Sequence, residues 1–129
     1  MPTHENFTTL MNVAKKDLKA SKFLSTDDDV YVEGVCFHSQ QCAEKALKAF
    51  LDLNGVRYPF IHDLERLCLD CKNIDNTFSE IFNHCLILNN YSAQSRYIDD
   101  SEVPIEEMYE AIKLAEEVYN FVKAKIKED

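Results

Sequence analysis

Apolar side chains recur along much of the chain at intervals of three and four residues, the period of an amphipathic α-helix. The first such segment predicts a helix from about Glu5 to Leu24, with lysines on its polar face. The second predicts a helix from about Val30 to Leu53, which Asn54-Gly55 ends. Pro59 interrupts the pattern in the connector that follows, because proline lacks the N–H group that a helix interior requires.

Three more apolar segments follow this connector. They predict a short helix from about His62 to Cys71, a strongly apolar segment from Thr77 to about Asn89, and a last helix that Pro104 opens. Apolar residues of the last helix recur with a seven-residue repeat. The predicted fold is therefore all-α, an antiparallel up-and-down bundle of four long helices and one short helix, with residues 1–129 as a single domain.

The composition agrees with a helical domain. Of the 129 residues, 46% are hydrophobic and 29% are charged, as in ordinary globular proteins, and two glycines and three prolines leave little turn material for a sheet. The N-terminus lacks a basic region followed by an apolar run, and no segment reaches the roughly 20 apolar residues of a membrane helix. We therefore expect a cytoplasmic protein without membrane contact.

The cysteines and the net charge limit which covalent links, metal sites and partners are expected. The chain has five cysteines and no secretion signal, so free thiols are expected rather than a disulfide framework. Cys68 and Cys71 have the spacing of a metal-ligand pair, but no second pair accompanies them, and we predict no metal site. The net charge of −9 disfavours binding to duplex nucleic acid, although it allows a small local basic site.

The second helix carries one candidate site. Gln41, Glu44, Lys45 and Lys48 lie on one face, where Gln41–Lys45 and Glu44–Lys48 are neighbours four residues apart. This pattern is compatible with a polar site between helices, but the residues alone favour a solvated surface.

A second candidate lies in the loop before the last helix, which contains Tyr91, Arg96 and Tyr97. An arginine guanidinium suits phosphate, and tyrosine offers an aromatic face with a polar tip. Alternatively, Arg96 pairs with a carboxylate such as Asp99, and the tyrosines close the end of the bundle.

Three segments together resemble the HEPN domain family in order and spacing. These segments are Phe37 with Gln40-Gln41 and residues 43–49, then His62-Asp63-Leu64 with Leu67, then Tyr91 with Arg96-Tyr97 and Asp99. The resemblance implies a short helical bundle that is often dimeric. It also implies nucleotide binding, a small nucleotidyltransferase as partner, or one half of a toxin–antitoxin pair.

The resemblance also implies a set of site residues. The predicted nucleotide-binding residues are His38, Gln41, Lys45, Lys48, Tyr91, Arg96 and Tyr97. This prediction requires the lysine side of the second helix to face the arginine-bearing loop. It includes a nucleotide or phosphate ligand, no cofactor, and a homodimer. His62-Asp63 is expected to cap and orient the short helix.

An alternative activity follows from other members of the wider family, which are metal-independent ribonucleases with an arginine and a histidine four to six residues apart. Arg57 and His62 have this spacing, but they lie in the connector rather than near the start of the last helix. No histidine follows Arg96 before Pro104, and Leu64 stands where modified members carry a tyrosine. We therefore predict a non-enzymatic module, with a ribonuclease toxin using Arg57 and His62 as the alternative.

Overall fold

The structure, a computed structural model, describes residues 4–58, 61–92 and 103–127. Its five α-helices are α1 (His4–Leu24), α2 (Val32–Leu53), α3 (Leu64–Ile74), α4 (Phe82–Leu88) and α5 (Ile105–Lys127). Short 3-10 turns, Asn76–Ile81 and Asn89–Tyr91, flank α4. The all-α prediction is confirmed, and no strand occurs in the described ranges.

Helix α2 lies at the centre of the bundle. It packs along α1 and α5 and contacts α3 and α4 as well. Small buried side chains such as Ala43 and Ala46 allow neighbouring helices to approach closely, while Leu47 and Leu51 fill the core. Gly34 near its start is explained by packing, because a Cβ there would lie 2.5 Å from the ring of Tyr31.

The apolar stripe of α5 faces the core of its own bundle. Met108, Ala115 and Val122 are fully buried. Beside them, the ring of Phe121 lies 5.0 Å from that of Phe78, which in turn lies 4.5 Å from Phe50 of α2. The seven-residue repeat of α5 thus serves packing within the chain.

The fourth predicted segment is shorter and less regular than a long helix. The Asp75 side chain accepts hydrogen bonds from Thr77 N at 3.0 Å and Thr77 Oγ1 at 2.6 Å, which starts a 3-10 turn. This turn buries Phe78 and Ile81, three residues apart, before the seven residues of α4 begin. Within the described ranges three helices are long and two, α3 and α4, are short, so a 3-10 turn and the short α4 stand where a fourth long helix was predicted.

Two further features bear on chemistry. All five cysteines are buried free thiols, as predicted. Within the described ranges, no group of three or more potential ligands is placed to hold a metal ion. The helices found there also lack the combination of length and apolar character needed to cross a membrane.

Candidate functional site

A fully buried carboxylate, Glu44, lies on the polar face of α2. Its Oε2 accepts a hydrogen bond from Lys48 Nζ at 3.0 Å and lies 3.4 Å from Lys45 Nζ. Gln40 Nε2 lies 3.3 Å from the other oxygen, Oε1. Because long helical side chains lean toward the helix N-terminus, Lys48 reaches back to the carboxylate one turn earlier.

The connector completes this cluster. His62 Nδ1 lies 3.0 Å from Glu44 Oε1 and 3.2 Å from Oε2, while Gln40 Nε2 donates to the His62 carbonyl at 3.4 Å. Gln41 Nε2 donates to Gln40 Oε1 at 2.8 Å and lies 3.5 Å from Glu44 Oε1. We call these six residues the Glu44 site: Gln40, Gln41, Glu44, Lys45, Lys48 and His62.

The charge at this site is locally positive. Burial alone would raise the pKa of Glu44, but hydrogen bonds from Lys48 and His62 and the charges of Lys48 and Lys45 outweigh it, so the pKa is lowered. Glu44 is therefore ionised at neutral pH. Two ammonium groups against one carboxylate leave a net charge of +1 before any protonation of His62, in a chain whose net charge is −9.

The donors are graded in exposure around their buried acceptor. The Lys48 side chain is 8% exposed, that of Lys45 25%, and that of His62 66%. Because Nδ1 of His62 is directed to Glu44, Nε2 is the ring nitrogen that can meet a ligand. Glu44 thus holds the ammonium groups of both lysines and Nδ1 of His62, while the side chains of Lys45 and His62 remain partly exposed.

Tyr58 extends the site toward the end of α2. Lys48 Nζ lies 5.5 Å from the centroid of its half-buried ring, within cation–π range. Burial, and then the charge of Asp52, raises the pKa of Tyr58. Asp52 is itself buried, and its Oδ2 has no hydrogen-bond partner among the described residues.

His38 lies apart from the contacts of the Glu44 site. Its Nδ1 is 2.9 Å from Asp17 Oδ1 of α1, so the ring joins α1 to α2 six residues before Glu44. The family resemblance grouped His38 with the lysines of α2, but its ring pairs with a carboxylate of the neighbouring helix α1 instead.

The second group of predicted residues is only partly described. Tyr91 is buried, and its hydroxyl lies 2.7 Å from Glu107 Oε1 of α5. Burial and the neighbouring Glu107 raise its pKa. This contact fits the interpretation that Tyr91 closes the end of the bundle. Arg96 and Tyr97 lie outside the described residues, so their meeting with Lys45 stays a prediction.

The connector residues have different roles. Asp63 caps α3, as predicted, because its Oδ1 accepts hydrogen bonds from Glu65 N at 3.0 Å and Arg66 N at 3.4 Å. His62 turns instead to Glu44, which sequence reasoning did not foresee. Arg57 is exposed on the same connector. The only sequence signal for the contact between His62 and Glu44 was the joint occurrence of the two segments that contain them.

The chain is thus a small helical-bundle domain, with a polar site formed by its central helix and the connector that follows this helix. The HEPN domain family model matches residues 7–125, and the chain belongs to this family. Among curated proteins, none matches the sequence significantly.

Two solved structures are similar over nearly the whole chain. One is ST0689, described as an archaeal HEPN homologue, with 27% identity, a TM-score of 0.76, and coverage of 95% of this chain and 98% of that one. The other is TT1696 from Thermus thermophilus, with 23% identity, a TM-score of 0.77, and coverage of 93% and 98%. The similarity to TT1696 shows a shared fold and nothing more.

Proposed function

We propose that the chain is a cytoplasmic nucleotide-binding module whose phosphate contacts come from Lys45, Lys48 and His62. The observation that carries this proposal is their convergence, within 3.4 Å, on the buried carboxylate of Glu44. A phosphate would therefore meet donors that are already held in place, and less conformational freedom is lost on binding. Membership of the HEPN domain family adds the expectation of nucleotide binding.

The balance of charge favours a small anion over a polymer. Two ammonium groups exceed the single carboxylate between them, whereas the chain as a whole carries −9. A long nucleic acid would be repelled by the net negative charge of the chain, since its affinity depends on many phosphate contacts. A mononucleotide is small enough for its phosphate to contact the two lysines of the Glu44 site alone.

An aromatic face is present for the base. The ring of Tyr58 lies beside Lys48, and stacking on such a ring tolerates any base because every base has a π-face. Arg96 and Tyr97 are proposed to approach from the loop before α5. Their part in the site follows from the resemblance.

The test is a titration of the intact chain with guanosine monophosphate, followed by calorimetry. Lys45→Ala is expected to weaken binding about tenfold, because a charge-assisted hydrogen bond is lost. Lys19→Ala, which removes an exposed lysine on α1, is the matched control and should bind as the wild type does. Equal affinities for the two variants, or no binding by the wild type, would overturn the proposal.

The proposal includes partners that the family resemblance implies. We propose a homodimer that acts beside a small nucleotidyltransferase, as one half of a toxin–antitoxin pair. Analytical ultracentrifugation of the chain alone tests the first part, since a monomer at micromolar concentration argues against it. Co-expression with a nucleotidyltransferase encoded beside it tests the second by co-purification.

A second candidate function is metal-independent ribonuclease activity, and the pairing of His62 with Glu44 favours it. A carboxylate at Nδ1 orients the imidazole and leaves Nε2 to move the proton of a 2′-hydroxyl. The exposed Arg57 would stabilise charge on the phosphorane. Single-stranded RNAs incubated with EDTA should then be cleaved by the wild type and not by His62→Ala, whereas intact RNA in both samples rejects this candidate.

A further inference from the structure

A second buried carboxylate lies two turns beyond Glu44 on the same helix. Asp52 is the penultimate residue of α2 and is 7% exposed, so it lies just beneath the surface. Its Oδ2 is enclosed and accepts no hydrogen bond from the part of the chain that the structure describes. An acceptor in this state costs folding free energy, and such groups in native proteins call for an explanation.

Lys48 could have satisfied Asp52 but does not. The two residues are four apart on α2 and therefore lie on one face. The Lys48 ammonium is instead 3.0 Å from Glu44 Oε2, in the direction of the helix N-terminus. Among the described residues no cation forms a salt bridge with Asp52, and the lysine one turn before it pairs with Glu44 instead.

Three complementary groups share this end of the site. Lys48 Nζ lies 5.5 Å from the centroid of the Tyr58 ring, and Asp52 follows Lys48 by one turn on the same face of α2. Burial, and then the charge of Asp52, raises the pKa of Tyr58, which agrees with this placement. A cation, an aromatic ring and an unsatisfied acceptor therefore lie together where α2 meets the connector. A phosphate group would contact Lys48, and a base would stack on the ring of Tyr58.

We infer that the Asp52 carboxylate accepts a hydrogen bond from an N–H or O–H donor on the nucleoside part of the ligand, while its phosphate lies against Lys45, Lys48 and His62. The donor is an amino or imino group of the base or a hydroxyl group of the ribose. This inference rests on the proposed function and assigns the part of the ligand beyond phosphate.

The test compares three ligands on the intact chain: guanosine monophosphate, ribose 5-phosphate and inorganic phosphate. Asp52→Asn keeps the shape of the side chain and removes its charge. We expect guanosine monophosphate to bind about tenfold more weakly to this variant, as for loss of a hydrogen bond to a charged group. Inorganic phosphate should bind equally well or more tightly, because a nearby negative charge is gone.

Comparison of guanosine monophosphate with ribose 5-phosphate identifies which group of the nucleoside donates the hydrogen bond to Asp52. A loss that also affects ribose 5-phosphate assigns a ribose hydroxyl, whereas a loss confined to guanosine monophosphate assigns the base. Asp28→Asn makes the same change of charge on the exposed loop between α1 and α2, and it should leave all three affinities unchanged.

Failure of this inference is distinguishable from failure of the proposed function. If Lys45→Ala weakens the binding of guanosine monophosphate and Asp52→Asn does not, only the role of Asp52 is overturned. A melting temperature that falls by several degrees in Asp52→Asn also overturns it, since Asp52 would then have a structural partner. If the wild type binds none of the three ligands, both the proposed function and this inference fail.

Discussion

Glu44 and Asp52 are buried carboxylates of the same helix, and their surroundings are opposite. Glu44 is approached by two lysines, a histidine and two glutamines. Asp52 has an oxygen that no described group satisfies. Burial disfavours both charges, so the difference between the two carboxylates lies in their donors: Glu44 has several, and Oδ2 of Asp52 has none among the described residues.

The largest expected effect is on stability at Glu44. Glu44→Ala should lower the free energy of unfolding by about 3–5 kcal/mol, because it leaves the buried ammonium group of Lys48 without its counter-charge. Urea denaturation measures this change. Glu117→Ala is the control, since Glu117 also pairs with a histidine, His84, at 2.7 Å but is exposed, and it should cost less than about 1 kcal/mol. Similar losses in the two variants would contradict the role of burial.

A double-mutant cycle sharpens the comparison. Glu44→Gln and Lys48→Met should show a coupling of about 1.5–3 kcal/mol, as expected for a charge-assisted hydrogen bond. Asp52→Asn and Lys48→Met, across the same four-residue spacing, should couple by less than about 0.5 kcal/mol. Equal couplings would show that Lys48 serves both carboxylates, which would remove the distinction between them.

Part of the loss of folding stability at acidic pH should come from protonation of Glu44. This part should be smaller than the loss caused by Glu44→Ala. Its pKa is lower in the folded state than the ordinary value of 4.5, because donors outweigh burial. The stabilisation is therefore complete above pH 4.5 and is lost as pH falls through the lowered pKa. The difference in unfolding free energy between the wild type and Glu44→Gln should shrink below pH 4.5. A difference that is constant from pH 7 to pH 3 would contradict this.

The smallest expected effect is that of Asp52→Asn on stability without ligand. Removing a buried charge that lacks a donor should leave the free energy of unfolding unchanged or raise it by up to about 1 kcal/mol. Urea denaturation at pH 7 measures it beside Glu44→Gln. A decrease in the free energy of unfolding of more than about 1 kcal/mol would show that Asp52, like Glu44, stabilises the fold.

Local patterns were enough to predict most of the fold. The predicted bounds of α1, α2 and α3 lie within three residues of the observed ones, because the helical period and the turn residues that interrupt it are short-range signals. Asp63 is a clear N-cap for the same reason. The segment from Thr77 was harder, since Phe78 and Ile81 suit a 3-10 turn and an α-helix equally well.

The sequence by itself determined the helical class, the family resemblance and the placement of Gln41, Lys45 and Lys48 on one face of α2. Tertiary structure decided which charges are buried, because the Glu44–Lys48 spacing is the same in a solvated surface and in an enclosed site. It also brought His62 to Glu44 across 18 residues and gave His38 to Asp17 of α1. Such contacts depend on how the helices pack against each other, and the hydrophobic periodicity of a single helix does not predict them.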